Sequence, residues 1–147
     1  MGAPRILIVE APYYAHISDQ LAKGAIAALE EAQARYDRLV VPGAFEIPAA
    51  IRFAATSANP YDGYVALGCV IRGETTHYEH VCTESAHGLQ NLALEHKLAI
   101  GFGILTVENE EQALARARVD KRNKGGEAAR ACLAMVELKR RFGLVAE

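Results

Sequence analysis

Residues 64–80 read YVALGCVIRGETTHYEH: an apolar run from Tyr64 to Ile71, a short polar turn, then the start of a helix. An unbroken apolar run of that length fits a strand buried on both faces, as in a parallel sheet. Thr76-His77-Tyr78-Glu79 fits a capping box, with Thr76 as N-cap and Glu79 reaching back from the third helical position. Gly73, Glu74 and Thr75 lie between, so the amides around Thr75 are expected to point outward beside a helix N-terminus, where an anion can bind. His77, in the first turn, stands within reach of that anion, and its imidazole can pass protons either way near neutral pH. An anion site and a proton-transfer group at the end of a buried strand point to an enzyme.

Strands and helices alternate on both sides of this stretch. Residues 5–9 (RILIV) read as the first strand. Residues 17–34 read as the first helix, with Ile17, Leu21, Ala25, Ala28 and Leu29 on one face. Residues 38–41 form a second strand stopped by Pro42-Gly43. Residues 46–57 form a helix that tolerates Pro48 because it lies in the first turn. The third strand is expected over 61–71, the third helix over 76–96 and the fourth strand over 98–105. Asn109-x-x-Gln112 caps a fourth helix, and a last helix runs from near Gly125 to about Phe142, stopped by Gly143. Right-handed crossovers place helices on both faces of such a sheet. The expectation is an α/β fold: a flavodoxin-like three-layer αβα sandwich around a four-stranded parallel sheet in the order 2-1-3-4, with residues 1–147 as one domain.

Composition narrows the function classes. The 147 residues are 51% apolar and 23% charged, enough chain for a packed core. A net charge of −2 leaves no basic surplus for nucleic-acid phosphates. Cys69, Cys82 and Cys132 share no CxxC spacing, which fits reduced cytosolic thiols better than a disulfide framework. No signal pattern precedes the first strand, and no apolar run is long enough to span a bilayer, so a soluble cytoplasmic protein is expected.

In doubly wound folds ligands bind outside the carboxyl ends of the strands. Pro12, Tyr13, Tyr14 and His16 follow the first strand, Gly43-Ala44-Phe45-Glu46 the second, and residues 73–77 the third, so these chemical groups converge on one rim. His77 reads either as a capping histidine or as a proton-transfer group. With His80, and Cys82 or Glu84, it has a spacing that permits a metal, although no HExxH or CxxC supports one. Glu46 is either a dipole-complementing first-turn carboxylate or a recognition group for a polar ligand. Tyr13 is an exposed loop tyrosine or a platform for a flat heterocycle. Arg116 and Arg118 fit the cationic end of the fourth helix, and Lys124-Gly125-Gly126 fits a helix start that brings amides near phosphate. Cys69, Cys82 and Cys132 read as packing thiols, and Gly101-Phe102-Gly103 as part of a buried strand rather than a dinucleotide fingerprint.

Together these residues resemble lumazine synthase, the penultimate enzyme of riboflavin biosynthesis. The matching blocks are Val41-Pro42-Gly43-Ala44-Phe45-Glu46-Ile47-Pro48, residues 68–80, Gly103-Ile104-Leu105-Thr106, Glu108-Asn109 with Glu111-Gln112-Ala113, Arg116-Ala117 and Asn123-Lys124-Gly125-Gly126. They cover nearly the full chain in order. The resemblance implies a transferase that condenses 5-amino-6-(D-ribitylamino)uracil with 3,4-dihydroxy-2-butanone 4-phosphate, without metal or organic cofactor. Tyr13 would stack on the pyrimidine, Ala44, Phe45 and Glu46 would hold the ribityl chain, and Cys69, Val70 and Ile71 would line the pyrimidine. Glu74 and Thr75 would meet the phosphate, and His77 would transfer protons. Phe102, Arg116 and Lys124 would come from a neighbouring subunit, Arg116 as the principal phosphate partner, which makes a homopentamer the functional unit; riboflavin synthase is a further expected partner. Two departures stand out. Glu74 sets a carboxylate beside the phosphate, and Val119-Asp120-Lys121-Arg122 lacks the glycines of sixty-subunit shells, which favours a free pentamer. Two other readings remain: an oligomer that binds a flavin or lumazine without turnover, and a metal-dependent hydrolase built on His77, His80 and Cys82.

Overall fold

The apolar run is the inner part of β3 (Gly63–Ile71), whose first seven residues are buried before the last two emerge at the carboxyl end. β1 (Arg5–Glu10) pairs with one side of it and β4 (Ile100–Val107) with the other, while β2 (Arg35–Val40) adds to the outer edge of β1. All three pairings are parallel, and the order β2-β1-β3-β4 is the expected one. The computed structural model describes residues 2–144. Within them the sheet is covered by α1 (Ala15–Glu31), α2 (Ile47–Ala55), α3 (His77–Glu95), α4 (Glu110–Ala117) and α5 (Lys124–Arg141).

Successive strand residues point to opposite faces, so each inner strand feeds two cores. Ile6, Ile8, Val65 and Leu67 pack with Leu21 of α1, Ala117 of α4 and Cys132 of α5. Leu7, Val9, Tyr64 and Ala66 pack with Ile47 and Ile51 of α2 and Leu89 and Leu92 of α3. Each fully buried Leu or Ile contributes about 1.5–3 kcal/mol of transfer free energy, so both helical layers are held by the same sheet. The result is the expected three-layer sandwich.

Element ends differ from expectation where local sequence is a poor guide. β2 begins at Arg35, three residues before the expected Arg38, and five of its six residues are exposed. An edge strand this polar is defined by its ladder to β1, from Arg5↔Arg35 to Glu10↔Val40, and by the fork of Arg38 on buried Glu10, at 2.6 and 2.9 Å. α1 starts at Ala15 and ends at Glu31, short of the expected Ala34. Gln33 takes a left-handed φ of 59°, and the Ala34 amide closes back on the Leu29 carbonyl at 2.9 Å, which ends the helix. The expected helix over 46–57 is one 3₁₀ turn at Ala44–Glu46 followed by α2, with Pro48 in its first turn. Asn109 caps α4 as expected: its side chain accepts from Gln112 N at 2.8 Å while Gln112 Oε1 accepts from Glu108 N at 2.8 Å. Gly143, at φ 75°, stops α5.

Backbone contact seats α5. A Cβ on Gly101 would stand 1.9 Å from the Ala128 carbonyl oxygen, and one on Gly125 would stand 2.0 Å from that of Leu21. Gly24 leaves room for Asn123, whose Oδ1 accepts from Gly126 N at 3.3 Å. The glycines of Lys124-Gly125-Gly126 therefore answer to helix packing, and the Gly126 amide is already taken within the chain. Alanine usually stabilises a helix relative to glycine by about 1 kcal/mol. At Gly125 the sign reverses: Gly125→Ala is expected to destabilise by roughly 1–3 kcal/mol through overpacking. Urea unfolding measures this, and an unchanged or raised midpoint contradicts the packing argument.

Candidate functional site

Three strand ends and one helix start meet at the carboxyl rim. The loop after β1 is tied to β3 by Ala11 N donating to the Leu67 carbonyl at 3.0 Å, and Tyr13 N then donates to the Ala11 carbonyl at 2.9 Å. The segment after β2 turns through Pro42-Gly43 into the 3₁₀ turn, closed by Glu46 N donating to the Gly43 carbonyl at 3.1 Å. β3 ends beside both and leads into α3. Between them lies a cleft of about 570 Å³, lined by Tyr13, Tyr14, residues 42–46, Cys69, Val70, Ile71, His77, His80 and Val81. That size suits a small-molecule ligand.

The lining divides by chemistry. Tyr13 is 76% exposed and meets Tyr14 edge to face, with ring centroids 4.9 Å apart. Tyr14 is half-buried, and burial first, then the neighbouring Cys69, raises its phenol above the ordinary tyrosine range. Ala44 is anchored in the core while Phe45 stays exposed. The Glu46 carboxylate folds over Gly43, where an added Cβ would lie 3.2 Å from its Oε1, and it pairs with no cation among the described residues. Cys69 is buried, and burial pushes its thiol up to about 11, so it is a wall rather than a nucleophile. His77 is exposed at the mouth of the cleft, with its amide donating to Thr75 Oγ1 at 3.3 Å.

The expected capping box does not form. Thr76 is already helical (φ −74°, ψ −1°) and makes no side-chain cap, and Glu79 turns to Arg72 instead of reaching back. An ion pair to a cation at the end of β3 outweighs a local carboxylate–amide bond, because Arg72 offers charge as well as hydrogen-bond donors. Thr75 supplies the hydroxyl that Thr76 was expected to give.

Of the residues expected at the site, Tyr13, Ala44, Phe45, Glu46, Cys69, Val70, Ile71 and His77 line one cleft. Tyr14, His80 and Val81 join them; Tyr14 was expected on the rim without an assigned role and His80 only as a metal ligand, while Val81 carries no sequence signal of its own. Glu74 and Thr75 precede His77 but do not line the cleft. Phe102, expected within a buried strand, is 50% exposed, while Gly101 and Gly103 are buried. It lies against α3 with Leu89 and Ala93, away from the cleft. Arg116 and Lys124 also lie outside the lining. Arg116 Nη1 donates to the Gln112 carbonyl at 3.1 Å and meets no carboxylate among the described residues, whereas Lys124 Nζ is 3.0 Å from Glu127. Among the described residues no three His, Cys, Asp or Glu side chains gather as a metal centre requires, so His77, His80 and Cys82 do not converge on one. No described helix is long and apolar enough to cross a membrane.

A parallel α/β sheet whose strand ends open onto a cleft with aromatic rings, a carboxylate and imidazoles defines a small-molecule enzyme of the doubly wound class. The chain matches the family model described as 6,7-dimethyl-8-ribityllumazine synthase over residues 3–140. It is 61% identical over 140 residues to the 6,7-dimethyl-8-ribityllumazine synthase of Bartonella tribocorum, covering 95% of this chain and 93% of the relative. The protein of that name from Agrobacterium fabrum is 55% identical over 147 residues, covering 97% and 99%. The 6,7-dimethyl-8-ribityllumazine synthase 1 of Rhodopseudomonas palustris is 54% identical over 146 residues, covering 97% and 90%. The chain belongs to the lumazine synthase family, and it is a transferase of riboflavin biosynthesis.

The cysteines test the cleft's accessibility and polarity. Burial also pushes Cys132, inside the α5 core, up to about 12, whereas Cys82 is only partly buried. Iodoacetamide near neutral pH is expected to modify Cys82 ahead of Cys69, and Cys132 only on unfolding, as read by peptide mass spectrometry. Labelling of Cys69 as fast as Cys82 contradicts a thiol held protonated in the cleft wall.

Proposed function

We propose that the cleft condenses 5-amino-6-(D-ribitylamino)uracil with 3,4-dihydroxy-2-butanone 4-phosphate to 6,7-dimethyl-8-ribityllumazine, releasing phosphate and water. The observation that carries this reading is convergence. Tyr13, residues 44–46, residues 69–71 and His77 come from four separate segments and line one cleft, in a chain of this family.

In this reading Tyr13 stacks on the flat pyrimidine, backbone groups of residues 69–71 meet its polar edge, and the Glu46 carboxylate accepts hydrogen bonds from ribityl hydroxyls. Thr75, and the turn that contains Glu74, face the phosphate. The ring amine attacks the ketone carbon, a proton moves from nitrogen to oxygen, and water leaves as the imine forms. Loss of the proton on the hydroxyl-bearing carbon with elimination of phosphate leaves an enol, which tautomerises to a new carbonyl. Attack of the second nitrogen on that carbonyl closes the ring, again with loss of water. Amine and ketone need mainly juxtaposition for the first step. The later steps need a group that gives and takes protons, and His77 at the cleft mouth is that group. No metal or organic cofactor takes part.

Phe102, Arg116 and Lys124 complete the site from a neighbouring subunit of a homopentamer that does not build a sixty-subunit shell. Arg116 is the better placed phosphate partner, because no carboxylate neutralises it among the described residues while Lys124 is held by Glu127. Residues 1–147 act as one cytoplasmic domain that hands its product to riboflavin synthase.

Mixing the protein with both substrates and following lumazine absorbance tests the reaction itself; a rate no faster than the spontaneous one overturns it. His77→Ala is expected to lower kcat roughly 10–10³-fold with KM nearly unchanged. A loss confined to KM contradicts proton transfer. Arg116→Ala is expected to raise KM for the phosphate substrate chiefly, because a charge-assisted contact is lost; phosphate-substrate affinity equal to that of the unsubstituted protein contradicts the assignment.

A further inference from the structure

Arg72 is the first residue beyond β3 and the most connected polar side chain near His77. Its amide extends the ladder by donating to the Val107 carbonyl at 2.9 Å. Its Nε lies 2.9 and 3.0 Å from the two oxygens of Glu108, at the end of β4, and its Nη1 pairs with Glu79 in the first turn of α3. The guanidinium carbon sits 4.3 Å from the centroid of the Tyr78 ring. One side chain thus joins the carboxyl ends of β3 and β4 to the two residues that follow His77.

Little else holds that turn. A Cβ on Gly73 would meet nothing within 4 Å, Thr76 makes no cap, the exposed Thr75 hydroxyl accepts from the His77 amide only at 3.3 Å, and the first buried residue of α3 is Val81. The chemistry of the cluster also argues against substrate binding by Arg72. Two carboxylates already share one guanidinium, which leaves the group net negative, with Glu74 two residues away in sequence. An incoming phosphate finds no surplus positive charge there. The Glu79 carboxyl is held below the usual carboxylate range, first by the hydrogen bond from Arg72, so the pair stays ionised when the site works near neutral pH.

We propose that Arg72 is a positioning residue: by tying the first turn of α3 to the end of β4, it fixes where His77 stands over the cleft and does not itself bind substrate. The inference rests on the proton-transfer role proposed for His77. Arg72, Glu79 and Glu108 are all exposed, and exposed ion pairs add little to global stability, so the cluster's effect is local. A small displacement of a reacting group is costly: about 1 Å can lose on the order of 100-fold in rate.

The test compares the full-length protein with Arg72→Met and Arg72→Lys by steady-state kinetics, thermal melting and hydrogen exchange. Arg72→Met is expected to lower kcat roughly 10–100-fold, keep KM for the phosphate substrate nearly constant and leave the melting temperature nearly unchanged. Amides of residues 73–80 exchange faster while those of α5 do not. Arg72→Lys, which keeps the charge but not the fork, restores part of kcat. A raised KM with kcat kept makes Arg72 a ligand and overturns the proposal, as does unchanged exchange over residues 73–80, or a melting loss that Arg72→Lys does not relieve. If the unsubstituted protein forms no lumazine, the reading of the reaction fails, and exchange over residues 73–80 alone upholds or overturns the hold of Arg72 on the turn.

Discussion

The close approach of α5 to its neighbours is the constraint on which the remaining architecture depends. At Gly101 and Gly125 main chain meets main chain, and no side chain separates α5 from β4 or from α1. Such contacts are steep: half an ångström of displacement produces either a clash or a void, so the helix has one seating. With α5 seated, Ala128, Cys132 and Val136 fill the space beside Val65 and Leu105, and α1 is drawn against the same face. The sheet is thereby held from behind, and its carboxyl rim can open onto solvent without loosening the strands.

That division of labour explains the character of the cleft. Its floor is made of strand ends already fixed by parallel ladders, as in Ile71↔Val107 and Glu10↔Leu67. Its walls are the short turn that contains Gly43 and the first turns of α3, where polar side chains stand exposed. Cys69 shows the transition along one strand: buried, with a thiol held protonated, three residues before the chain leaves the sheet at Arg72. Rigid support below and polar groups above suit a reaction that depends on juxtaposing two small molecules.

The same chain presents chemistry on surfaces that its own cleft does not reach. Phe102 is an aromatic half-exposed on a strand whose neighbouring glycines are buried, and Arg116 is a cation without a carboxylate among the described residues. Neither is needed for the core. An aromatic and a cation left in this way fit groups used across a subunit boundary, in keeping with the pentamer that the resemblance to lumazine synthases implies.

Much of the fold was legible because burial writes itself into composition. The unbroken apolar run of β3, the i, i+4 spacing of Ile17, Leu21, Ala25 and Leu29, the Asn109–Gln112 cap and the Gly143 stop are local patterns whose physics acts within a turn or two of chain. The family resemblance was legible for the same reason, since its motifs are contiguous. Other features needed the tertiary structure. β2 is exposed on five of its six residues and polar in its first half, so its start at Arg35 is set by its ladder with β1, and the Glu10–Arg38 fork holds it there. Glu79 carried the signature of a cap, but Arg72 took it, and Arg72 in turn is oriented by Glu108, thirty-six residues along the chain. Lys124-Gly125-Gly126 looked like an anion cradle and is a packing surface, because its partner is the carbonyl of Leu21. Tyr14 became part of the cleft only once β1 lay beside β3. The sequence by itself determined most of the strands and helices and which side chains have chemistry to offer. Only the tertiary structure decided which partner each polar group takes, because a charge or a backbone oxygen brought near by folding competes with, and can outweigh, the nearest group along the chain.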